Sequence, residues 1–123
     1  MKAIYKTKTF VRWARKNNVA DSCLVNAVLE MESGLIDANL GGGVYKKRIP
    51  LTGKGKRGGA RSIIATHFKG TFFFLRGFAK NETATISDQE LDVYKIVART
   101  YLAIGKRKLE EMLLDGTIAE VKI

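Results

Sequence analysis

Apolar positions along the chain change period several times, and each change marks an element. Ala3-Ile4-Tyr5-Lys6 reads as a short strand. Thr9 then precedes Phe10, Trp13, Ala14 and Asn17, which share one helical face while Arg12, Arg15 and Lys16 turn outward. Asp21 is placed to cap a second helix, whose apolar positions Leu24, Val28 and Met31 recur at helical spacing. Gly34 fits just past its end. Gly41-Gly42-Gly43 breaks the pattern, Val44 to Leu51 reads as a strand, and Thr52 to Gly59 as a glycine-rich loop. Ala60–Phe68 and Thr71–Ala79 are rich in β-branched and aromatic residues, which predicts two strands joined by a two-residue turn at Lys69-Gly70. Ser87-Asp88-Gln89-Glu90 has the form of a capping box. Beyond it Leu91, Tyr94, Val97, Ala98, Tyr101 and Leu102 mark one face of a helix reaching about Ile104, with Gly105 as its end. Lys106 to Leu114 predicts a last short helix, Asp115-Gly116 a turn, and Thr117 to Ile123 an extended tail. The order is β-α-α-β-β-β-α followed by α-β. It describes an α+β domain: a small, mostly antiparallel β-sheet with two N-terminal helices and a C-terminal helix packed on it.

Composition narrows the setting. A chain of 123 residues fits one domain and buries enough surface to fold without a disulfide or a metal. Its single cysteine, Cys23, excludes an internal disulfide and suits a cytoplasmic protein. No apolar run approaches a membrane span, and the charged N-terminus lacks the apolar stretch of a signal peptide.

Charge is distributed unevenly. Residues 1–37 carry a net +2 and residues 82–123 a net −2, while residues 38–81 hold ten Lys and Arg side chains and no acidic one. The middle third therefore accounts for the whole formal charge of +10. Such a concentration builds a positive field over one part of the surface, which suits a polyphosphate partner.

The hairpin pattern sharpens the location. With a turn at Lys69-Gly70, Arg61 falls opposite Phe78 and Ile63 opposite Arg76. Arg61, Arg76 and Lys80 then share one sheet face with Phe72, Phe74 and Phe78, and Ile64, Phe73 and Leu75 take the other. A change of one residue in the loop reverses this arrangement. The phenylalanines read first as core and second as platforms for bases. Beside the hairpin, Gly53, Gly55, Gly58 and Gly59 interleave with Lys54, Lys56 and Arg57 in a pattern suited to close contact with phosphate. It is not a P-loop, because the G-x-x-x-x-G-K-[ST] pattern and following helix are missing. Lys46 and Lys47 on the preceding strand add to the basic set.

Other residue types are scarce in this region. His67 is the sole histidine and reads as structural within an apolar strand, which removes paired-histidine ribonuclease chemistry. Cys23 lies among apolar helix positions and reads as a buried residue, not a nucleophile. No carboxylate appears between residues 38 and 81 to hold a divalent cation, so neither a metal nor a cofactor is expected. RNA offers its own nucleophile, the 2′-OH. A cluster of Lys and Arg can stabilise the phosphorane charge and assist proton movement.

The run Lys54-Gly55-Lys56-Arg57-Gly58-Gly59-Ala60-Arg61, an apolar hairpin, and Phe78-Ala79-Lys80-Asn81-Glu82 together resemble the RelE/ParE toxin superfamily, in its RelE-like, HigB-type branch. The resemblance covers most of residues 3–104. It implies a toxin domain over 1–105, with 106–123 as a helix and tail packed on the same domain. It further implies metal-independent, ribosome-dependent mRNA cleavage and neutralisation by an antitoxin, expected to be a small helix-turn-helix protein. By resemblance Lys54, Lys56, Arg61 and Lys80 are the catalytic set, while the basic loop, hairpin and preceding strand offer Arg57, Arg76, Lys46, Lys47 and Asn81 as RNA contacts. Asn81 and Ser87 depart from the family pattern, which carries an arginine and a tyrosine near those places. Two alternatives stay open: a ParE-like inhibitor of DNA gyrase, and a basic RNA-binding module without catalysis.

Overall fold

In a computed structural model, residues 2–51, 55–79 and 86–123 are described, with the backbone alone for residues 55–58. In chain order the elements are β1 (Ala3–Thr7), α1 (Lys8–Lys16), α2 (Asp21–Glu32), β2 (Ala38–Gly41), β3 (Val44–Leu51), β4 (Gly55–Thr66), β5 (Thr71–Ala79), α3 (Asp88–Leu102), α4 (Lys106–Asp115) and β6 (Ile118–Val121). The strands form one six-stranded sheet in the order β2-β3-β4-β5-β1-β6. Among the described residues only β1 and β5 pair in parallel, so the domain is α+β with a mostly antiparallel sheet, as expected.

Both sheet faces are covered. On one, Phe10 and Ala14 of α1 and Leu24, Ala27, Val28 and Met31 of α2 pack on Ile4, Ile49, Ile64, Phe72 and Phe74. On the other, α3 and α4 cover Tyr5, Val44, Ile63, Phe73, Leu75, Phe78 and Ile118. Thr7 caps α1 by accepting a hydrogen bond from the Phe10 amide, and Arg15 and Lys16 sit favourably in its last turn. Asp21 does not cap α2. It is the first helical residue, and its carboxylate instead pairs with Lys6 of β1 at 2.8 Å.

Several sequence expectations need correction. The segment before the triple glycine is a strand, β2, and Gly42-Gly43 form its two-residue turn into β3 with φ of +61° and +81°. Positive φ at both positions is the type I′ requirement, which glycine meets without strain. Gly55 to Gly59 lie in β4 and not in a loop, with Gly55 paired to Leu51. Lys69-Gly70 is not a two-residue turn, since β4 ends at Thr66 and residues 67–70 form the connection. There the Thr66 hydroxyl accepts from the Phe68 amide and donates to the Thr71 carbonyl, which fixes the wider loop.

The wider loop offsets the register by one near the turn, where Ile64 faces Phe74. A bulge at Leu75 then restores the expected pairs Ile63–Arg76 and Arg61–Phe78. Leu75 and Arg76 consequently lie on the same face although they are adjacent. Phe73 and Leu75 share the α3 face with Arg61, Arg76 and Phe78, whereas Phe72 and Phe74 belong to the α1–α2 core. This reverses the predicted placement of four of those side chains. The phenylalanines are core residues, with Phe72 and Phe74 wholly buried. Gly77 follows the bulge, and a Cβ there would run into the Trp13 ring, so the indole lies flat against the strand backbone.

The C-terminal segment is built into the sheet. Met112 of α4 is buried on the α3 side, and β6 pairs with β1, burying Ile118 and Val121. Among the described residues no helix is long and apolar enough to cross a membrane.

Candidate functional site

Strand alternation and the bulge at Leu75 carry the basic residues to one place. Arg48 of β3 lies directly opposite Arg61 of β4, and Arg61 lies opposite Phe78 of β5. The Arg76 guanidinium stands over the Phe78 ring, 5.7 Å from its centroid. Three neighbouring strands thus present Arg48, Arg61 and Arg76 on the face that α3 partly covers, with Arg76 over the Phe78 ring. Lys46 stands two residues before Arg48 on the same strand, opposite Ile63. Like charges directly opposite each other in a sheet cost stability, a cost that Asp37 offsets on the Arg48 side.

The arginines differ in what holds them. Arg48 pairs with Asp37 at 3.0 Å. Arg76 donates to Glu90 at 2.7 Å and to the Tyr94 hydroxyl at 2.9 Å, both on α3. Arg61 makes only a 3.4 Å contact to its neighbour's carbonyl and, among the described residues, has no acidic partner. It is therefore the guanidinium best placed to take a phosphate oxygen. The Tyr94 hydrogen bond, then the Glu90 contact, holds the Arg76 pKa above its ordinary value and keeps it cationic. Glu90 is shifted below the usual carboxylate range, first by the Ser87 amide and then by Arg76. In the Arg76–Tyr94 bond the phenol oxygen accepts, which leaves its own proton free to donate.

A comparison with protein-family models matches residues 1–121 to the RelE toxin of the RelE / RelB toxin-antitoxin system. The chain belongs to the RelE toxin family. No curated protein matches it. The α+β sheet with its flanking helices is consistent with a RelE-like fold, and the family match runs through α4 and β6. The RelE assignment makes the chain the toxin member of a toxin–antitoxin pair, with an antitoxin as its partner.

Within this RelE-family domain, the expected site residues fall into four groups. Arg61, Arg76 and Lys46 share the α3 face. Lys47 does not: it is only 2% exposed, on the opposite face, and pairs with Glu30 of α2 at 2.8 Å. Its place follows from alternation, since neighbours on a strand point to opposite faces. Lys54, Lys80 and Asn81 lie outside the described residues. Lys56 and Arg57 belong to the backbone of β4, and nothing further is described of them.

The sequence reading passed over Arg48, Glu90 and Tyr94 as site residues. Arg48 was legible as the alternate neighbour of Lys46. Glu90 is the last residue of the capping box, and Tyr94 lies one turn further on, so both were visible as helix residues but not as partners of a strand arginine. Two other expectations change. His67 is exposed in the β4–β5 connection, outside the strand, and Cys23 is only partly buried.

Proposed function

We propose that this RelE-family toxin is a ribosome-dependent endoribonuclease that cuts mRNA by attack of the RNA 2′-OH on the adjacent phosphate. The observation carrying this reading is Arg61, a guanidinium without an acidic partner among the described residues, facing Arg48 and sharing Phe78 with Arg76. A phosphodiester seated there meets fixed positive charge where the phosphorane develops its own. Arg61 stabilises that charge. Arg76, held by Glu90 and Tyr94, fixes the far side of the phosphate, and the Tyr94 O–H is within the same cluster to supply a proton to the leaving 5′ oxygen. Lys54, Lys56 and Lys80 complete the catalytic set by the family pattern, one of these lysines in its neutral form taking the 2′-OH proton, with Arg57, Lys46 and Asn81 on the RNA backbone. Lys47 is left out of the RNA-binding set because of its burial with Glu30. The reaction needs no metal, since the nucleophile belongs to the substrate. The ribosome contributes by holding the mRNA in line for attack. A small helix-turn-helix antitoxin presenting an acidic segment neutralises the basic face.

The test is a translation reaction programmed with a defined mRNA, with cut sites mapped by primer extension. The wild-type chain produces cuts between codons. Arg61→Ala lowers the rate by about 10²–10³-fold, the usual loss for one transition-state donor, while its thermal melt stays that of the wild type. Cutting at the wild-type rate by Arg61→Ala removes the site, and arrest with intact mRNA and damaged DNA points to a gyrase inhibitor.

A further inference from the structure

At the other end of α3 from Glu90, a notch of about 450 Å³ is lined by Gly42, Gly43, His67, Lys95, Arg99 and Leu102. None of these residues belongs to the cluster around Arg61. The turn glycines set its shape. A Cβ on Gly42 would come within 3.0 Å of the Lys95 stem, and one on Gly43 within 3.1 Å of the His67 ring. Lys95 therefore lies along the turn with its ammonium beside Gly41, and the imidazole of His67 lies against Gly43. Arg99 stands one helical turn beyond Lys95 on the same side of α3. Among the described residues neither cation has an ion pair, although Asp92 lies three positions before Lys95 on the helix. Two unpaired cations and an imidazole around a glycine turn have the chemistry of a phosphate site.

Its place in the fold gives the phosphate a source. From Arg48, strand β3 runs back past Lys46 and Val44 to Gly43, a length of about 17 Å at the usual strand rise. Arg48 and Lys46 face α3, so Lys46 and the Asp37-paired Arg48 lie between Arg61 and the notch along the flank of β3.

We infer that the Gly42–Gly43, His67, Lys95 and Arg99 notch is a second phosphate-binding station, which takes a backbone phosphate of the same RNA strand a few nucleotides from the scissile one. This rests on the RNA-cleaving reading for the identity of the strand, but the phosphate site itself does not. It holds the strand through charge, without reading bases. Activity then depends on RNA reaching past the cut site in that direction.

The experiment uses the full chain and two probes. With a short uridine oligomer, affinity is measured across a salt series for the wild type and for a Lys95→Gln/Arg99→Gln variant. Glutamine keeps the helix propensity of α3, and a matching thermal melt confirms the fold. Loss of one phosphate contact makes the slope of log affinity against log salt shallower by about 0.7 to 1. With inorganic phosphate, the Gly42 and Gly43 amide resonances of the wild type shift, and those of the variant do not. An unchanged salt slope together with phosphate-insensitive glycine amides overturns the notch. Arg61→Ala serves as the separating arm. If it abolishes cutting but leaves the phosphate-induced shifts of Gly42 and Gly43 in place, the two sites are independent, as inferred. If the wild type cuts no mRNA yet shows those shifts, the ribonuclease reading fails and the phosphate site stands.

Discussion

Adjacent lysines on β3 have opposite fates. Lys46 faces α3 beside the arginine row, and Lys47 is buried against α2 with its ammonium on Glu30. The desolvation cost of burying a lysine is offset by the ion pair, and replacing the lysine alone breaks that pair and costs stability. Lys47→Met is therefore expected to leave the salt dependence of RNA binding unchanged, with any effect confined to the melting temperature. A shallower salt slope in that variant would place Lys47 in contact with RNA after all. The same alternation explains why counting cations along a strand overstates the basic surface. Half of a strand's side chains face away from any one ligand, and only the pairing register says which half.

Elements bring the remaining pieces together, and α3 does most of this. Its capping box closes in both directions, with the Ser87 hydroxyl accepting from the Glu90 amide and the Glu90 carboxylate accepting from the Ser87 amide. The same carboxylate binds Arg76, so the start of the helix is coupled to the candidate site. Because Glu90 ionises more readily in the folded chain, its contribution to stability is present above the ordinary carboxylate pKa of about 4.3 and disappears as pH falls through the lower folded value. Asp115, shifted in the same direction by the Thr117 hydroxyl and amide at the α4–β6 turn, adds to the effect. Thermal melts are expected to fall as pH drops below about 4, and Glu90→Gln to flatten that fall. An unaltered acid profile in Glu90→Gln would mean that the carboxylate carries none of it. Ser87 and Glu90 were readable as a cap from their spacing alone, since capping is local. The reach of Glu90 to Arg76 was not, because the two residues meet only when helix and sheet are packed.

For the whole molecule, the last strand matters beyond its length. β6 covers the free edge of β1 and places Ile118 against Tyr5, Leu75 and Met112. An Ile-to-Ala change at a buried position removes about 2–5 kcal/mol, a large share of the roughly 5–15 kcal/mol that holds a typical domain. Ile118→Ala is accordingly expected to lower the denaturation midpoint steeply, and it loses activity only in step with the folded fraction. A midpoint like the wild type's would make β6 an appendage, contrary to its pairing. The family match to residue 121 agrees with a tail that belongs to the sheet.

Local chemistry alone determines a good deal of this protein. Helical spacing gave Leu24, Val28 and Met31 as core, the capping box gave the start of α3, and the acid-free stretch from 38 to 81 marked the basic region. Even β2 had a signal in Gly42-Gly43, a pair suited to a type I′ turn, although its four residues carry too little periodicity to declare a strand. Tertiary structure decided the faces. A loop wider than two residues and a bulge at Leu75 cancel each other, so Arg61 and Arg76 share a face for a reason the even spacing of the sequence does not contain. Sequence periodicity records which residues prefer burial, because that preference is local. Which charges meet depends on register, bulges and the helix laid across them, and these are fixed only when the sheet closes on both cores.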